Sequence, residues 1–430
     1  MSLTFKILTF GCRVNQVESI EIGKSLQKVG FKPATTKASP DIVIINTCVV
    51  TQKAEKEVRQ LTRRVRRENP KSFLVLLGCG VNFWQKVGFP KLPVNLWLQN
   101  EEKEKIAQVL KEKFFFTLIL KRNGVKPTDS YQKSGRLIIK IQDGCNKFCS
   151  FCLVPYLRGK PKSKKINQIV EEAKNAQKSG VKEIILSGIN LGLFGQDTNE
   201  NIPQLLKLLL KKTDIPRISF GSIYPKVITD KLVNLYVNDW QNEDGRLCRF
   251  FHLPLQSGSA KVLRLMRRKY SLEKFSSIVK TLHQSLPEAL IATDIIVGFP
   301  GEGEKEFRQT YKFLKNLPIF KFHIFRFSSR KGTLAFKMEK KWGKVEERVK
   351  KERAKILKNL EEEKYKKFLK TLVAKKLPIL ILEKRGKEAL GMADNSVLVK
   401  FSLEKGAKDK IAPVLVEKVD FPFLIGKTLT

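Results

Sequence analysis

LIIKIQDGCNKFCSFC, residues 137–152, sets a run of apolar and β-branched residues against Asp143-Gly144 and then three cysteines. A continuous apolar strand ending at a turn is how a parallel sheet, covered on both faces, presents its carboxyl edge. Working outward, the pattern repeats. Strand-like segments lie at EIILSG (183–188), RISFGSI (217–223), FFHLPLQ (250–256), ALIATDIIVGF (289–299) and FKFHIFRF (320–327). Helical segments fall between them, for example Ile166 to Lys178 and Glu304 to Leu317. Six strand-then-helix units predict a partial (βα)6 barrel, three-quarters of the full eight.

Residues 1–115 read as a separate parallel α/β sheet domain. FKILTF (5–10), DIVIIN (41–46) and SFLVLL (72–77) are strands, with helices over Val17 to Val29 and Lys53 to Glu68. Residues 101–135 hold a short helix, an apolar run at 114–120 and a polar linker. The barrel domain spans 136–370. It ends in WGKVEERVKKERAKILKNLEEEKYKKFLK (342–370), a charged helix with i,i+4 pairs such as Glu363–Lys367, expected to be solvated and connecting. Residues 371–430 change to short β-rich runs separated by turns. These predict a small antiparallel barrel or half-barrel of the kind that often binds RNA, whose deletion should leave both cysteine sets intact; the alternative is a domain that only packs against the barrel for stability. The fold class is therefore α/β in three parts: an N-terminal parallel sheet, a central (βα)6 barrel and a C-terminal β-barrel-like domain.

The composition is globular, with 42% hydrophobic and 29% charged residues among 430. Lys and Arg number 83 against 42 Asp and Glu, a formal charge of +41 spread along the chain. That surplus fits a polyanionic partner, nucleic acid before membrane; the alternative is a mere preference for surface lysine. No apolar run reaches the ~18 residues of a membrane span, and no signal peptide or lipidation motif is evident. Seven cysteines are too few for a disulfide scaffold and suggest thiolate ligands in a reducing cytosol.

Cys145, Cys149 and Cys152 have C-x₃-C-x₂-C spacing. Three thiolates on one loop can hold three irons of a [4Fe–4S] cube and leave the fourth open to the amino and carboxylate groups of S-adenosylmethionine. A structural zinc site would want a fourth ligand, and none lies near in sequence. Cys12, Cys48 and Cys79 match no compact metal motif, but each directly follows an apolar strand. In a parallel sheet the strand ends share one edge, so these three can meet there as a second three-ligand set; the alternative is three independent buried thiols. Cys248 reads as a buried structural thiol.

The chain resembles the radical S-adenosylmethionine methylthiotransferases over nearly its whole length. KIQDGCNKFCSFCLVPYLRG resembles the family's cluster loop. FGCRVNQVES, INTCVVT and LLGCG resemble its N-terminal cysteine segments. FFHLPLQSGSAKVLRLMRRKYS, TDIIVGFPGEGEKEF and FSSRKGTLAF resemble barrel signatures, and GMADNSVLVKF part of the RNA-binding TRAM domain. GCRVNQ resembles the branch acting on N6-threonylcarbamoyladenosine in tRNA. The isopentenyladenosine branch usually has Gln-Met, and the ribosomal-protein branch Pro-Lys, where this chain has Arg13-Val14. The resemblance implies two [4Fe–4S] clusters, one on each cysteine set. It implies a 5′-deoxyadenosyl radical that takes hydrogen from adenine C2, and a methylated sulfur delivered from the auxiliary cluster. A second S-adenosylmethionine supplies the methyl group. It also implies a one-electron donor protein and a cytoplasmic enzyme, expected to be monomeric. The chain departs from the family pattern at Gly80-Val81-Asn82, Lys162-Ser163 and Gln99-Asn100.

Phe151 packs on the adenine of S-adenosylmethionine or is a core residue. Ser187-Gly188, Gln256-Ser257 and Gly298 end strands on the presumed active face and contact the same cofactor. His252 lies within a strand as a satisfied core histidine. Arg326 and Arg330 flank the sixth strand end as candidates for tRNA phosphate or substrate. The rival from another class is a non-catalytic tRNA- or ribosome-binding protein with structural metal.

Overall fold

A computed structural model describes residues 3–35, 39–114, 135–241, 245–386, 388–403 and 410–429. Of the expected apolar run and linker at 114–135, all but Phe114 and Gly135 lie outside the described residues. The chain packs as two compact units. One joins the N-terminal sheet to segments 144–160 and 328–336; the other holds the barrel strands and the C-terminal domain.

In the first unit β1 (Thr4–Thr9), β2 (Lys32–Pro33), β3 (Ile42–Thr47), β4 (Phe73–Gly78) and β5 (Leu96–Leu98) form a parallel sheet in the order β2-β1-β3-β4-β5. All six residues of β3 are buried, as a central strand covered on both faces requires. Alternation then divides them. Ile42 and Ile44 pack with Ile22 and Leu26 of α1 (Arg13–Lys28); Val43 and Ile45 pack with Val58 and Val65 of α2 (Gln52–Glu68). Two further helices, α3 (Cys79–Val87) and α4 (Ile106–Lys113), complete the two layers. A short helix in the cysteine loop, α5 (Val154–Arg158), buries Leu157 in the α2 side of the core.

The second unit is the partial barrel. Its parallel strands are β6 (Arg136–Asp143), β8 (Glu183–Gly188), β9 (Arg217–Phe220), β10 (Phe250–His252), β11 (Leu290–Val297) and β12 (Lys321–Arg326), with β7 (Lys162–Ser163) antiparallel on the edge beside β6. Isolated bridges, Ile218 to Leu247 and Ser222 to His252, join the β6–β9 and β10–β12 sheets. Outside lie α6 (Ile166–Lys178), α7 (Ile202–Lys212), α8 (Asp230–Asp239), α9 (Ala260–Leu265), α10 (Leu272–Ser285) and α11 (Glu304–Asn316).

The expected charged helix from Trp342 is interrupted. α12 (Leu334–Trp342) stops at Gly343, whose φ of +84° suits glycine, and α13 (Glu347–Thr371) begins four residues later. Nor is α13 a solvated connector. It buries Leu357, Leu360, Tyr365, Phe368 and Leu369, with Leu357 and Leu360 in the barrel's outer core. The Glu363–Lys367 pair forms on its exposed side at 2.7 Å.

The C-terminal strands β13 (Lys376–Arg385), β14 (Glu388–Ala393), β15 (Leu398–Ser402), β16 (Ile411–Asp420) and β17 (Phe423–Thr428) close into a barrel in the order β13-β14-β15-β17-β16. It is not separable as the sequence suggested. Its core includes Leu290 of β11 and Tyr365 and Phe368 of α13. Arg249 makes a buried ion pair with Asp394 at 2.7 Å, and Arg217 donates to the carbonyls of Met392 and Pro378. Deleting 371–430 would expose this shared apolar surface, take the Met392 and Pro378 carbonyls from Arg217, and leave Arg249 with Glu288 alone at 2.8 Å.

Candidate active site

In the first unit, three adjacent parallel strands deliver three cysteines to one sheet edge. β1 leads through Gly11 to Cys12 at the start of α1, β3 to Cys48, and β4 to Cys79, the first residue of α3. Cys48 and Cys79 are buried and Cys12 is exposed. The three lie close enough for Cys12 and Cys79 to oppose ionisation of Cys48. Burial is the largest influence and pushes the Cys48 thiol up to about 11, against a hydrogen bond from the Val50 backbone and the pull of Arg158. A thiol so raised is protonated at neutral pH, and iron must displace its proton. Gly11 has φ +91°, and any side chain there would strike Cys48, meeting its Sγ at 2.6 Å. Asn100 Nδ2 lies 3.4 Å from Cys79 Sγ and donates toward it, while also donating to the Leu157 carbonyl at 2.8 Å. An edge of three thiols with a glycine cradle and an amide directed at sulfur fits an iron–sulfur cluster.

The loop carrying Cys145, Cys149 and Cys152 belongs to this unit. Gly144, φ +69°, opens it; a Cβ there would sit 2.1 Å from the Lys160 carbonyl oxygen, so only glycine fits. The loop closes by backbone bonds, Cys145 N to Gly159 O at 3.1 Å and Cys152 N to Cys149 O at 3.0 Å. Phe148 takes a left-handed φ of +47° and stacks edge-on against Tyr156. Phe151 is half-buried between Cys152 and Ser150, whose carbonyl accepts from Ala335 N. The seven cysteines form no disulfide.

Arg158 ties the loop to the sheet. It donates to Glu18 at 2.9 Å and to Asn15 at 2.7 Å, and Lys103 reaches the same Glu18 carboxylate at 2.6 Å. All three charged groups are buried, so two cations share one anion and leave a net positive charge near the cysteines. That field favours thiolates and an anionic cluster. Glu18→Ala would take the shared carboxylate from both cations, and breaking a buried pair costs about 3–5 kcal/mol. We expect a clearly lowered thermal midpoint for the iron-free protein, with Glu18→Gln losing less because it keeps an acceptor.

Arg330, expected to meet tRNA phosphate or substrate, lies buried in this unit. It pairs with Glu55 at 2.8 Å, and its guanidinium lies 4.5 Å from the centre of the Phe83 ring. Its side chain is 3% exposed, so it is an interior cation of this unit and not one at the surface.

In the barrel unit, Ser187 is buried near the end of β8, and Gly188 ends it against Gln142, with no room for a Cβ. Gln256 adopts φ +75° and bridges to β11 through Asp294 O and Ile296 N. Ser257 hydrogen-bonds Thr310 at 3.3 Å. Gly298, φ +74°, donates its N–H to Glu302 at 2.8 Å, and Glu302 in turn accepts from Arg353 of α13 at 2.7 Å. Burial raises the Glu302 carboxyl, opposed by those two donors. Arg326 ends β12 exposed and pairs with Glu347 at 3.2 Å. His252 is satisfied as expected, through Asp294 at 2.8 Å, and Cys248 is buried.

Residues 139–314 match the family model described as the radical SAM superfamily, and residues 4–97 match "uncharacterized protein family UPF0004". The threonylcarbamoyladenosine tRNA methylthiotransferase MtaB of Aquifex aeolicus is 35% identical over 87% of this chain and 92% of its own. That of Bacillus subtilis is 33% identical over 97% and 95%. The chain belongs to the radical S-adenosylmethionine methylthiotransferases. A tRNA-2-methylthio-N(6)-dimethylallyladenosine synthase of Lawsonia intracellularis is 33% identical over 90% of this chain and 88% of its own. Among solved structures, the radical S-adenosylmethionine methyltransferase TsrM of Kitasatospora setae shares the fold, with a TM-score of 0.53 at 13% identity over 76% of this chain and 75% of that one.

A radical S-adenosylmethionine methylthiotransferase binds a [4Fe–4S] cluster and S-adenosylmethionine, and Cys145, Cys149 and Cys152 fit as that cluster's ligands. In this methylthiotransferase, sequence reasoning missed Glu18, Arg158, Asn100 and the Glu302–Arg353 pair. Asn82, within one departure from the family pattern, accepts at Oδ1 from Asn100 N at 2.8 Å, and Asn100 follows another departure, Gln99.

Proposed function

We propose that this chain adds a methylthio group to C2 of N6-threonylcarbamoyladenosine beside the anticodon of tRNA, working in the reducing cytosol with a one-electron donor protein. The observation that carries the reading is the pairing of two three-cysteine sets within one compact unit. Cys145, Cys149 and Cys152 would hold the cluster that cleaves S-adenosylmethionine; Cys12, Cys48 and Cys79 would hold a second. In each set a four-iron cube keeps one iron without a cysteine ligand. Ser187 and Gly188 at the end of β8, Gly298 after β11, and Gln256 and Ser257 in the turn beyond β10 would line the S-adenosylmethionine site, with Phe151 against its adenine. The relatives named above support the threonylcarbamoyl substrate. The Lawsonia relative keeps dimethylallyladenosine as a second reading. Reconstituted enzyme given tRNA of each kind, followed by nucleoside mass spectrometry, is expected to methylthiolate the threonylcarbamoyl nucleoside. Conversion of the dimethylallyl nucleoside instead would favour the second reading, and no conversion with folded, iron-loaded protein the non-catalytic rival.

Residues 371–430 would contribute to tRNA binding. A cleft of about 500 Å³ on the C-terminal barrel is lined by Arg385, Lys400, Phe423 and Ile425 together with Glu383, Glu388 and Glu417; Arg385 pairs with Glu383 at 2.8 Å and Lys400 with Asp420 at 3.3 Å, and the Lys400 ammonium lies 4.2 Å from the centre of the Phe423 ring. Basic groups beside an aromatic face suit a nucleic-acid backbone with its bases. Because deletion would strip a shared core, charge reversal is the cleaner test. Arg385→Glu with Lys400→Glu is expected to weaken tRNA binding and flatten its salt dependence by about two units of log–log slope, one per lost phosphate contact.

A further inference from the structure

The chain contains three histidines, and two of them stand side by side in the barrel. Ile291, Ile295 and Val297 of β11 pack outward with the helices, as do Phe251 of β10 and Phe322 of β12. Their alternates Asp294, His252 and His323 therefore stand on the inner face. The backbone fixes this meeting. Asp294 and His323 are direct partners in the β11–β12 register, and His252 is opposite Ala292, two residues before Asp294 on the same face. His252 Nε2 lies 2.8 Å and His323 Nδ1 3.8 Å from the same oxygen, Oδ1 of Asp294. The two imidazole rings are 4.6 Å apart between centres.

We propose that His252, Asp294 and His323 form a divalent-metal site on the inner face of the barrel, for a borderline cation such as zinc. One donor atom from each residue falls within a sphere where all separations are at most 4.8 Å, the one such set of three among the described residues. Tetrahedral zinc with nitrogen and oxygen ligands at about 2.0–2.2 Å needs its ligand atoms about 3.3–3.5 Å apart. The separations of 2.8 and 3.8 Å from Asp294 bracket that value, so the ion requires only small side-chain adjustments. Two imidazoles and a carboxylate are a donor set that suits zinc and its first-row neighbours over magnesium or calcium. All three ligands sit on strands, which hold geometry better than loops. His323 is 44% exposed at its side chain, which gives the ion a path in and leaves the fourth position open to water or another oxygen donor. Lys321, two residues before His323 on β12, is engaged by Glu361 at 3.3 Å and lies over the Tyr365 ring. This set shares no residue with either cysteine set, and the inference is independent of which tRNA nucleoside is the substrate.

The test uses enzyme with both cysteine sets loaded with iron, given one equivalent of Zn²⁺ and dialysed. Wild type is expected to retain about one zinc per chain. Its zinc-edge absorption should show nitrogen and oxygen neighbours at about 2.0–2.1 Å and no sulfur at about 2.3 Å. His323→Gln and Asp294→Asn, which keep size and polarity, should each lower retained zinc at least tenfold, with iron content and circular dichroism unchanged. Zinc retained equally by both variants, zinc held by sulfur, or no retained zinc in wild type would overturn the site. In that case the three side chains are a hydrogen-bonded filling of the inner face.

Discussion

Replacing Cys145, Cys149 and Cys152 together by alanine is expected to bring S-adenosylmethionine cleavage to the uncatalysed background and to halve bound iron, from about eight to about four per chain. The loss should be chemical, not a loss of fold. The loop is closed by backbone bonds from Cys145 N and Cys152 N, by Gly144 against the Lys160 carbonyl, and by Leu153 and Leu157 in the sheet's core. None of these needs a cysteine sulfur. Arg158 still meets Glu18 and Asn15, so the loop stays anchored while its ligands are gone. Formation of 5′-deoxyadenosine under a strong chemical reductant, with iron measured on the same samples, checks both halves. Iron unchanged from wild type would remove this loop as a ligand set, and the central chemical assignment with it.

Much of this was legible in the sequence, because long apolar strands and cysteine spacing are local signals. β8 runs over the six residues EIILSG, and β1, β3 and β4 end within one residue of their expected positions, which is why Cys12, Cys48 and Cys79 share an edge as their sequence context implied. What failed was whatever depends on tertiary partners. FFHLPLQ reads as one strand, yet only Phe250–His252 pairs as one, because Gln256 turns to left-handed φ and returns to β11 by isolated bonds. The helix from Trp342 looked solvated because its composition is charged. Lys350, Arg353 and Glu361 are nonetheless buried; Lys350 and Glu361 have helix neighbours in Glu347 and Lys358, but Arg353 is held by Glu302 and Glu361 also by Lys321, partners that no periodicity reveals. Arg330 looked like a surface cation for the same reason, and Glu55, 275 residues away in sequence, makes it an interior one. The C-terminal barrel was recognisable by its strands, but its dependence on Leu290, Tyr365 and Phe368 was not, since nothing local marks those residues as shared core.

Replacing Cys12, Cys48 and Cys79 by alanine is expected to separate two reactions. Cleavage of S-adenosylmethionine should continue at near the wild-type rate, and methylthiolated tRNA should fall below detection, with about four irons retained. The reason is positional. These three thiols end β1, β3 and β4, whereas the other set occupies its own loop, and no residue serves both. The triple variant does carry a structural cost. Cys48 and Cys79 are buried, so alanine leaves small voids, and Asn100 Nδ2 loses the sulfur at 3.4 Å while keeping the Leu157 carbonyl. Cys12→Ala alone removes this objection, because Cys12 is exposed. If the edge holds a cluster through three ligands, losing one of them should also stop sulfur insertion while sparing cleavage. The single variant should also lower iron well below the wild-type content, since two remaining thiolates hold a cube poorly. A Cys12→Ala enzyme that still methylthiolated tRNA at the wild-type rate would show that the three strand-end cysteines do not act as a set, and the auxiliary role proposed for them would fall.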